Sequence, residues 1–204
     1  MDREQVFDED YLYFYETFLT DELSDRQAEL IWRLLELEPG MEVLDLACGH
    51  GRIANRLAER GARVTGLDAT PFFLELARAD AARREVEVEY VEGDMRRLPW
   101  TERFDRTVNW FTAFGYFDDD ENRLVLREAH RALKPGGCLA IENNNLAGLL
   151  GRWQPAQVVE REGNFAIDRS SFDPTTGRAT TDRVIVRDGR TRRFEFSVRM
   201  FVAA

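Results

Sequence analysis

The sequence predicts an α/β fold, a doubly wound and mostly parallel sheet followed by an antiparallel β segment. Three observations predict it. Between about Met41 and Asn145, five short apolar runs alternate with helix-like stretches, the rhythm of a parallel sheet covered on both faces. Caps and breakers fall between those runs: Pro39-Gly40, Gly61, Thr70-Pro71 and Lys134 to Gly137. After about Leu150 the rhythm changes to short alternating segments, separated by Glu162-Gly163, Pro174 to Gly177 and Asp188-Gly189, which reads as antiparallel hairpins.

In order along the chain, SDRQAELIWRLLEL predicts a helix with Ser24 as N-cap, Gln27 completing a capping box, and Ala28, Ile31 and Leu35 on one face. MEVLDLA follows as a short buried strand. A helix from about Gly51 to Arg60 comes next and ends at Gly61. ARVTGLD is the second strand, and Thr70-Pro71 supplies the N-cap and first-turn proline of a helix running to about Arg84. VEVEYVEGD and FDRTVNWF are two further strands. A long helix from about Asp119 to Leu133 is broken by Lys134-Pro135-Gly136-Gly137, and CLAIENN is the fifth apolar strand. The tail segments are VVERE, FAIDRSSF, ATTDRVIVRD and TRRFEFSVRMF, suited to cover a sheet edge or a pocket or to pair with another subunit. In RRFEFSVRMF, Phe194, Phe196, Val198 and Met200 share one face, which predicts burial of that face.

At 204 residues the chain is long enough for one domain with a sizeable core. We read it as a single unit: N-terminal helices over 1–38, a cofactor-binding core over 39–150 and the antiparallel extension over 151–204. Hydrophobic residues make up 44% and charged residues 32%, a globular balance. The net charge of -10 argues against nucleic acid, whose nonspecific binding depends on lysine and arginine displacing counterions, and turns attention to a small-molecule partner. Cys48 and Cys138 both sit in apolar runs and are expected to be buried thiols in a reducing compartment. No run approaches the roughly 18 to 20 apolar residues of a membrane span, and the acidic start MDREQVFDED lacks the basic residues of a signal peptide. The expectation is cytoplasmic, with no membrane partner.

The stretch LDLACGHGRIA, Leu44 to Ala54, runs a strand into a carboxylate, a glycine pair and a helix start. Gly49 to Ala54 also fits the G-x-G-x-x-G/A pattern of dinucleotide enzymes. Asp45 pulls away from that reading, since a carboxylate four residues before the first glycine repels a pyrophosphate and attracts an ammonium group. S-adenosylmethionine has the ammonium and no phosphate. Asp68, ending the second strand, suits both ribose hydroxyls, and Asp94 in VEGDM suits the adenine amino group, with the Met95 N–H on the ring nitrogen. Each carboxylate alone also reads as a solvated or helix-capping residue.

As an ordered set, VLDLACGHGRIANRLAERGARVTGLDAT, VEGDMRRLP, FDRTVNWFTAFGYF and HRALKPGG resemble the class I S-adenosylmethionine-dependent methyltransferases, in the branch acting on small molecules. The resemblance spans roughly Leu30 to Asn145 and implies a Rossmann-like fold. It also implies that Asp45, Ala47, Gly49 and Gly51 line the methionine end, and Asp68, with Ala69 beside it, the ribose. Asp94 with Met95 would meet the adenine, and Asn109 and Phe111 the sulfonium. Arg52 would pair with the methionine carboxylate or lie solvated in a first turn. Family members continue past the antiparallel segment with a helix and a final hairpin. This sequence stops at RMFVAA, which predicts a sheet without those strands and an edge open to homodimerisation.

The implied reaction is methyl transfer to a nitrogen or oxygen of a small acceptor, with no metal. The alternatives are a catalytically silent cofactor-binding or assembly protein with a truncated fold and, more remotely, a nicotinamide oxidoreductase. A hydroxyl acceptor must lose a proton, and of the two histidines His50 lies in the cofactor turn whereas His130 suits a helix C-terminus. Tyr13, Tyr15, Phe114 and Tyr116 are the candidate acceptor-pocket residues, because aromatic walls suit small organic molecules.

Overall fold

The computed structural model describes residues 6–201. The chain resolves into two compact units, one of Leu19–Phe114 with Asp120–Glu142, the other of residues up to Phe18 with Gly115–Asp119 and those from Asn143 onward. The N-terminal helices therefore do not form one block. Helix α1 (Glu9–Tyr15), with the 3₁₀ turn Glu16–Phe18, belongs to the second unit, and α2 (Asp21–Leu34) to the first. Among the described residues, no helix is long and apolar enough to cross a membrane.

The first unit is a five-stranded, wholly parallel sheet in the order β3-β2-β1-β4-β5, with β1 Glu42–Leu46, β2 Arg63–Asp68, β3 Val88–Glu92, β4 Phe104–Asn109 and β5 Leu133–Ile141. Helices α3 (Ala54–Glu59), α4 (Pro71–Arg83) and α5 (Asp119–Ala132) make the crossovers. The doubly wound, Rossmann-like fold is the one the alternation predicts. Strand order reverses between β1 and β4, so their carboxyl ends flank the crevice where such sheets take ligands. The core beneath holds Ile31, Val43, Leu57 and Val108, each essentially inaccessible to solvent.

Four local expectations change. Helix α2 begins at Asp21, capped by the Thr20 hydroxyl, which accepts from the Leu23 N–H at 3.2 Å. Thr20 with Asp21 and Glu22 offers an earlier start that also suits the helix dipole, so Ser24 lies inside the helix rather than at its cap. Gln27 closes no capping box and accepts from Arg52 instead. Helix α3 starts three residues after Gly51, because Gly51 sits at φ +78°, outside helical space. Lys134 to Gly137 loop out within β5: Phe104 pairs with Leu133 and Arg106 with Cys138, leaving the breaker residues as a bulge. Cys48 is buried as expected but Cys138 is exposed, since β5 is the outer strand and packs against β4 on one side only.

The second unit carries an antiparallel meander, β6 (Ala156–Arg161), β7 (Asn164–Asp173), β8 (Arg178–Arg187) and β9 (Arg190–Arg199), preceded by a short helix α6 (Leu146–Leu150) that the sequence did not announce. Glu162-Gly163 and Asp188-Gly189 all take positive φ, the two-residue hairpin turn whose twist matches the strands. Phe194, Phe196 and Met200 are buried and Val198 partly so, as the alternation predicts. Phe194, Phe196 and Val198 pack with Phe14 of α1, Ala166 and Ile185 in a separate apolar cluster.

Candidate cofactor site

The turn leaving β1 is held by backbone. Ala47, Gly49 and Gly51 have φ of 62°, 54° and 78°, so three of five successive residues occupy the left-handed region. The Cys48 N–H bonds Leu67 O of β2 at 3.0 Å, and the Gly51 N–H bonds Cys48 O at 3.1 Å. The two glycines differ in what surrounds them. A Cβ on Gly51 would meet the Tyr90 hydroxyl at 2.3 Å and the Ala77 Cβ at 2.8 Å, whereas one on Gly49 would meet nothing within 4 Å. Gly51 serves packing, and Gly49 leaves open space over the turn.

Asp45 stands beneath this turn, 2% exposed. Its carboxylate accepts from the Ala54 backbone, but Oδ2 has no hydrogen-bond partner among the described residues. Burial, opposed by the Arg52 charge and reinforced by Asp68, pushes its pKa up to about 7. On the neighbouring strand, Asn109 donates to Leu46 O at 2.7 Å while its own buried Oδ1 is likewise unpartnered. Two buried acceptor oxygens at adjacent strand ends match a group that brings several N–H donors, such as an ammonium, and oppose a phosphate.

Arg52 is 8% exposed, so it is neither solvated nor extended into the open. Its Nη1 donates to Gln27 Oε1 at 2.5 Å and, longer, to Ser24 Oγ at 3.4 Å, and its guanidinium lies 4.9 Å from the centre of the Phe111 ring. Phe111 and Thr112 both have positive φ, and the Glu142 carboxylate accepts the Thr112 N–H at 2.9 Å. That bond holds the strained loop after β4 in place.

Asp68 is bound into the scaffold. Its Oδ2 accepts the Gly49 N–H at 2.8 Å and its Oδ1 the Thr70 N–H at 2.9 Å, leaving further lone pairs on each oxygen. Burial raises its pKa against those bonds. Ala69 beside it is exposed. Asp94 accepts the Arg96 N–H at 2.9 Å and forms a two-oxygen ion pair with the Arg96 guanidinium, which also reaches Glu121. Met95 is buried. His50 is half-buried, its ring edge-on to Phe73 with centroids 6.3 Å apart. Among the described residues, no group of His, Cys, Asp or Glu is placed to hold a metal ion.

The acceptor candidates divide between the units. Phe114 is buried in the first. Tyr13, Tyr15 and Tyr116 lie in the second, where the Tyr13 hydroxyl is already engaged by Arg161 O, Glu162 and Asn164. Tyr15 instead accepts from Arg183 at 2.7 Å. Arg183 and its partner Asp168 were not singled out from the sequence, although Arg183 falls in phase with the buried face of ATTDRVIVRD.

The comparisons agree with this geometry. A family model described as "Methyltransferase domain" matches residues 43–137. A demethylmenaquinone methyltransferase from Thermus thermophilus is 36% identical over 131 residues, 60% of this chain and 58% of its own length. The chain thus spans about half the length of the curated relatives it matches. Among solved structures, the CcbJ methyltransferase from Streptomyces caelestis superposes with a TM-score of 0.70 at 25% identity, covering 88% of this chain and 73% of that one. An S-adenosylmethionine-bound amino pentose methyltransferase from Micromonospora echinaspora shares the fold, with a TM-score of 0.59 at 24% identity over 89% of this chain and 77% of its own. With the β1 turn, the strand-end carboxylates and the switch point all inside the matched region, the chain carries a methyltransferase-domain match over residues 43–137 and resembles the class I S-adenosylmethionine-dependent methyltransferases in fold.

Proposed function

We propose that the chain binds S-adenosylmethionine and transfers its methyl group to a nitrogen or oxygen of a small organic acceptor, both units serving one methyltransferase domain. The observation that carries the cofactor reading is Asp45: a buried carboxylate with one oxygen unpartnered, beneath a turn whose Gly49 faces open space. The ammonium of the methionine half supplies the missing donors, with Asn109 Oδ1 as the second acceptor. Gly49 lets the cofactor approach the backbone, Asp68 and Ala69 take the ribose side, and Asp94 and Met95 the adenine side. Arg52, stacked on Phe111, faces the methionine carboxylate and keeps Asp45 from standing as a lone buried charge.

When bound, the cofactor supplies a methyl already activated by positive sulfur. The protein's remaining work is alignment and exclusion of water. Asn109 and Phe111 are assigned to the sulfonium end, and Phe114 of the same unit to the acceptor. For a hydroxyl acceptor, His50 is assigned to take the proton. The relatives named above act on acceptors as different as a demethylmenaquinone and an amino pentose, so the likeness leaves the acceptor open.

Calorimetry with S-adenosylmethionine and with NADH tests the cofactor reading, and a methyl-release assay over amines, phenols and carbonyl compounds tests turnover. Cofactor binding without turnover on any acceptor would favour the silent binding protein. Binding of NADH alone would overturn the reading.

A further inference from the structure

Just past β4 lies a buried polar atom as unmet as Asp45 Oδ2, but of the opposite kind. Trp110 is 9% exposed, and its Nε1 has no hydrogen-bond partner among the described residues. The other tryptophans, Trp32, Trp100 and Trp153, each keep part of their surface in solvent. Packing alone does not account for this indole. Phenylalanine or leucine would fill an apolar cluster without a buried N–H, and a buried tryptophan normally gives its N–H to an acceptor.

The fold puts the two unmet atoms on one face of adjacent strands. Asp45 lies in register with Val108, and Val43, Val108 and Trp110 share the apolar cluster that Ala28 and Ile31 of α2 cover. Val43 and Asp45 alternate onto the same side of β1, so Asp45 and Trp110 both lie on the α2 side of the sheet, at its carboxyl edge. Phe111, next in the chain, lies against the Arg52 guanidinium, whose charge acts on Asp45. All of these residues belong to the first unit. The turn above Asp45 is the one in which Gly49 borders open space.

The chemistry of a ligand that meets both atoms follows from their signs. Asp45 Oδ2 lacks a donor and Trp110 Nε1 lacks an acceptor. A lone anion would answer the indole and repel Asp45, and a lone cation would answer Asp45 and leave the indole unmet beside Arg52. An ammonium and a carboxylate on one carbon answer both. We propose that the Trp110 indole N–H binds the carboxylate of the methionine half of S-adenosylmethionine, so that Asp45 and Trp110 together select an α-amino acid end. Arg52 supplies the positive field for that carboxylate, and Trp110 supplies a directed hydrogen bond. The inference rests on the cofactor reading proposed for this site. A single buried water, accepting from the indole and donating to Asp45, would satisfy the same two atoms but would make Trp110 indifferent to a ligand's carboxylate.

The test compares S-adenosylmethionine with its decarboxylated analogue, which keeps the ammonium and lacks the carboxylate. Calorimetry on the full chain should show Trp110→Phe binding S-adenosylmethionine about tenfold or more weakly than wild type, with the analogue changed by less than about twofold, as expected for one charged hydrogen bond lost. Because the ratio is taken within one variant, a general loosening of the core lowers both affinities and leaves it unmoved. The wild-type protein gives an independent readout through the ¹⁵N-labelled Trp110 indole, whose N–H resonance should move downfield with S-adenosylmethionine and stay near its free position with the analogue. That readout decides the matter even where Trp110→Phe does not fold. Full affinity for S-adenosylmethionine in Trp110→Phe, an equal loss for both ligands, or an indole resonance indifferent to the carboxylate would each overturn the proposal and leave the cofactor reading standing. Failure of the wild-type chain to bind either ligand would overturn the cofactor reading itself, and this inference with it.

Discussion

The Asp68 carboxylate accepts the Gly49 N–H at 2.8 Å, so the residue ending β2 shapes the turn that leaves β1. One side chain thereby ties together the residues proposed for the ribose edge and the methionine edge. Asp68→Ala should lower stability by about 1.5 kcal/mol or more, the scale of a charged hydrogen bond lost, and weaken S-adenosylmethionine binding at least tenfold. Urea unfolding and calorimetry measure the two effects. A variant that loses stability and keeps its affinity would separate Asp68 from the cofactor.

If Asp45 receives the ammonium as proposed, cofactor affinity should depend on pH. With its pKa near 7 in the free protein, the carboxyl is largely protonated at pH 6, and binding an ammonium favours the ionised form. Affinity should therefore rise with pH through about 7 and level off above it, with proton release on binding below that point. The stability of the free protein has the opposite slope. The folded pKa lies above the unfolded value, so the folded state holds the extra proton between about 4 and 7 and stability falls as pH rises across that window. In Asp45→Asn the Asp45 contribution to both dependences should be lost, leaving those of other shifted carboxylates such as Asp68. Calorimetry in buffers of different ionisation enthalpy, with melting curves across the same range, measures them.

Gly49 and Gly51 should respond differently to the same methyl group. Gly51→Ala pushes a Cβ into Tyr90 and Ala77 and should destabilise by about 2 to 4 kcal/mol, from overpacking and backbone strain together. Gly49→Ala meets no neighbour and costs about 1 to 2 kcal/mol of left-handed strain alone. Its cofactor affinity should nonetheless fall at least tenfold, since the Cβ enters the open space over the turn. Comparing melting temperatures with calorimetric affinities for the pair decides it; equal affinity in Gly49→Ala and wild type would place the cofactor elsewhere.

Asp94 is assigned to adenine yet is paired with Arg96. Asp94→Ala should narrow the affinity gap between S-adenosylmethionine and its inosine analogue, and by freeing Arg96 for Glu121 it should leave the melting temperature within a few degrees. Competition calorimetry reads the gap, and a gap as wide as in wild type would remove Asp94 from the adenine.

The strands were legible because their signals are local. Short strand segments set in regular alternation with helical stretches mark β1, β2 and β4, and period-two alternation with paired turn residues marks β6 to β9. Choices made in three dimensions were not legible. Thr20 and Ser24 are both cap-type residues on paper, and the helix starts at the earlier one, where Asp21 and Glu22 also suit the helix dipole. Cys138 sits in an apolar run, but only the strand order reveals that β5 is an edge. In the site, the carboxylates and glycines stand out by type and spacing. Arg183, in the second unit, does not, because its partners Asp168 and Tyr15 lie 15 and 168 residues away.

The unit built on the meander gathers the earliest and latest parts of the chain. Phe14 packs with Phe194 and Phe196, and Tyr13 bonds the Arg161 carbonyl, so the first helix emerges from the ribosome long before anything exists for it to rest on. The parallel sheet, whose strands all lie between Glu42 and Ile141, has no such wait. During synthesis the aromatic face of α1 must therefore remain solvated or sheltered by a chaperone until β7 to β9 have been made, and a nascent chain arrested near residue 150 should display it.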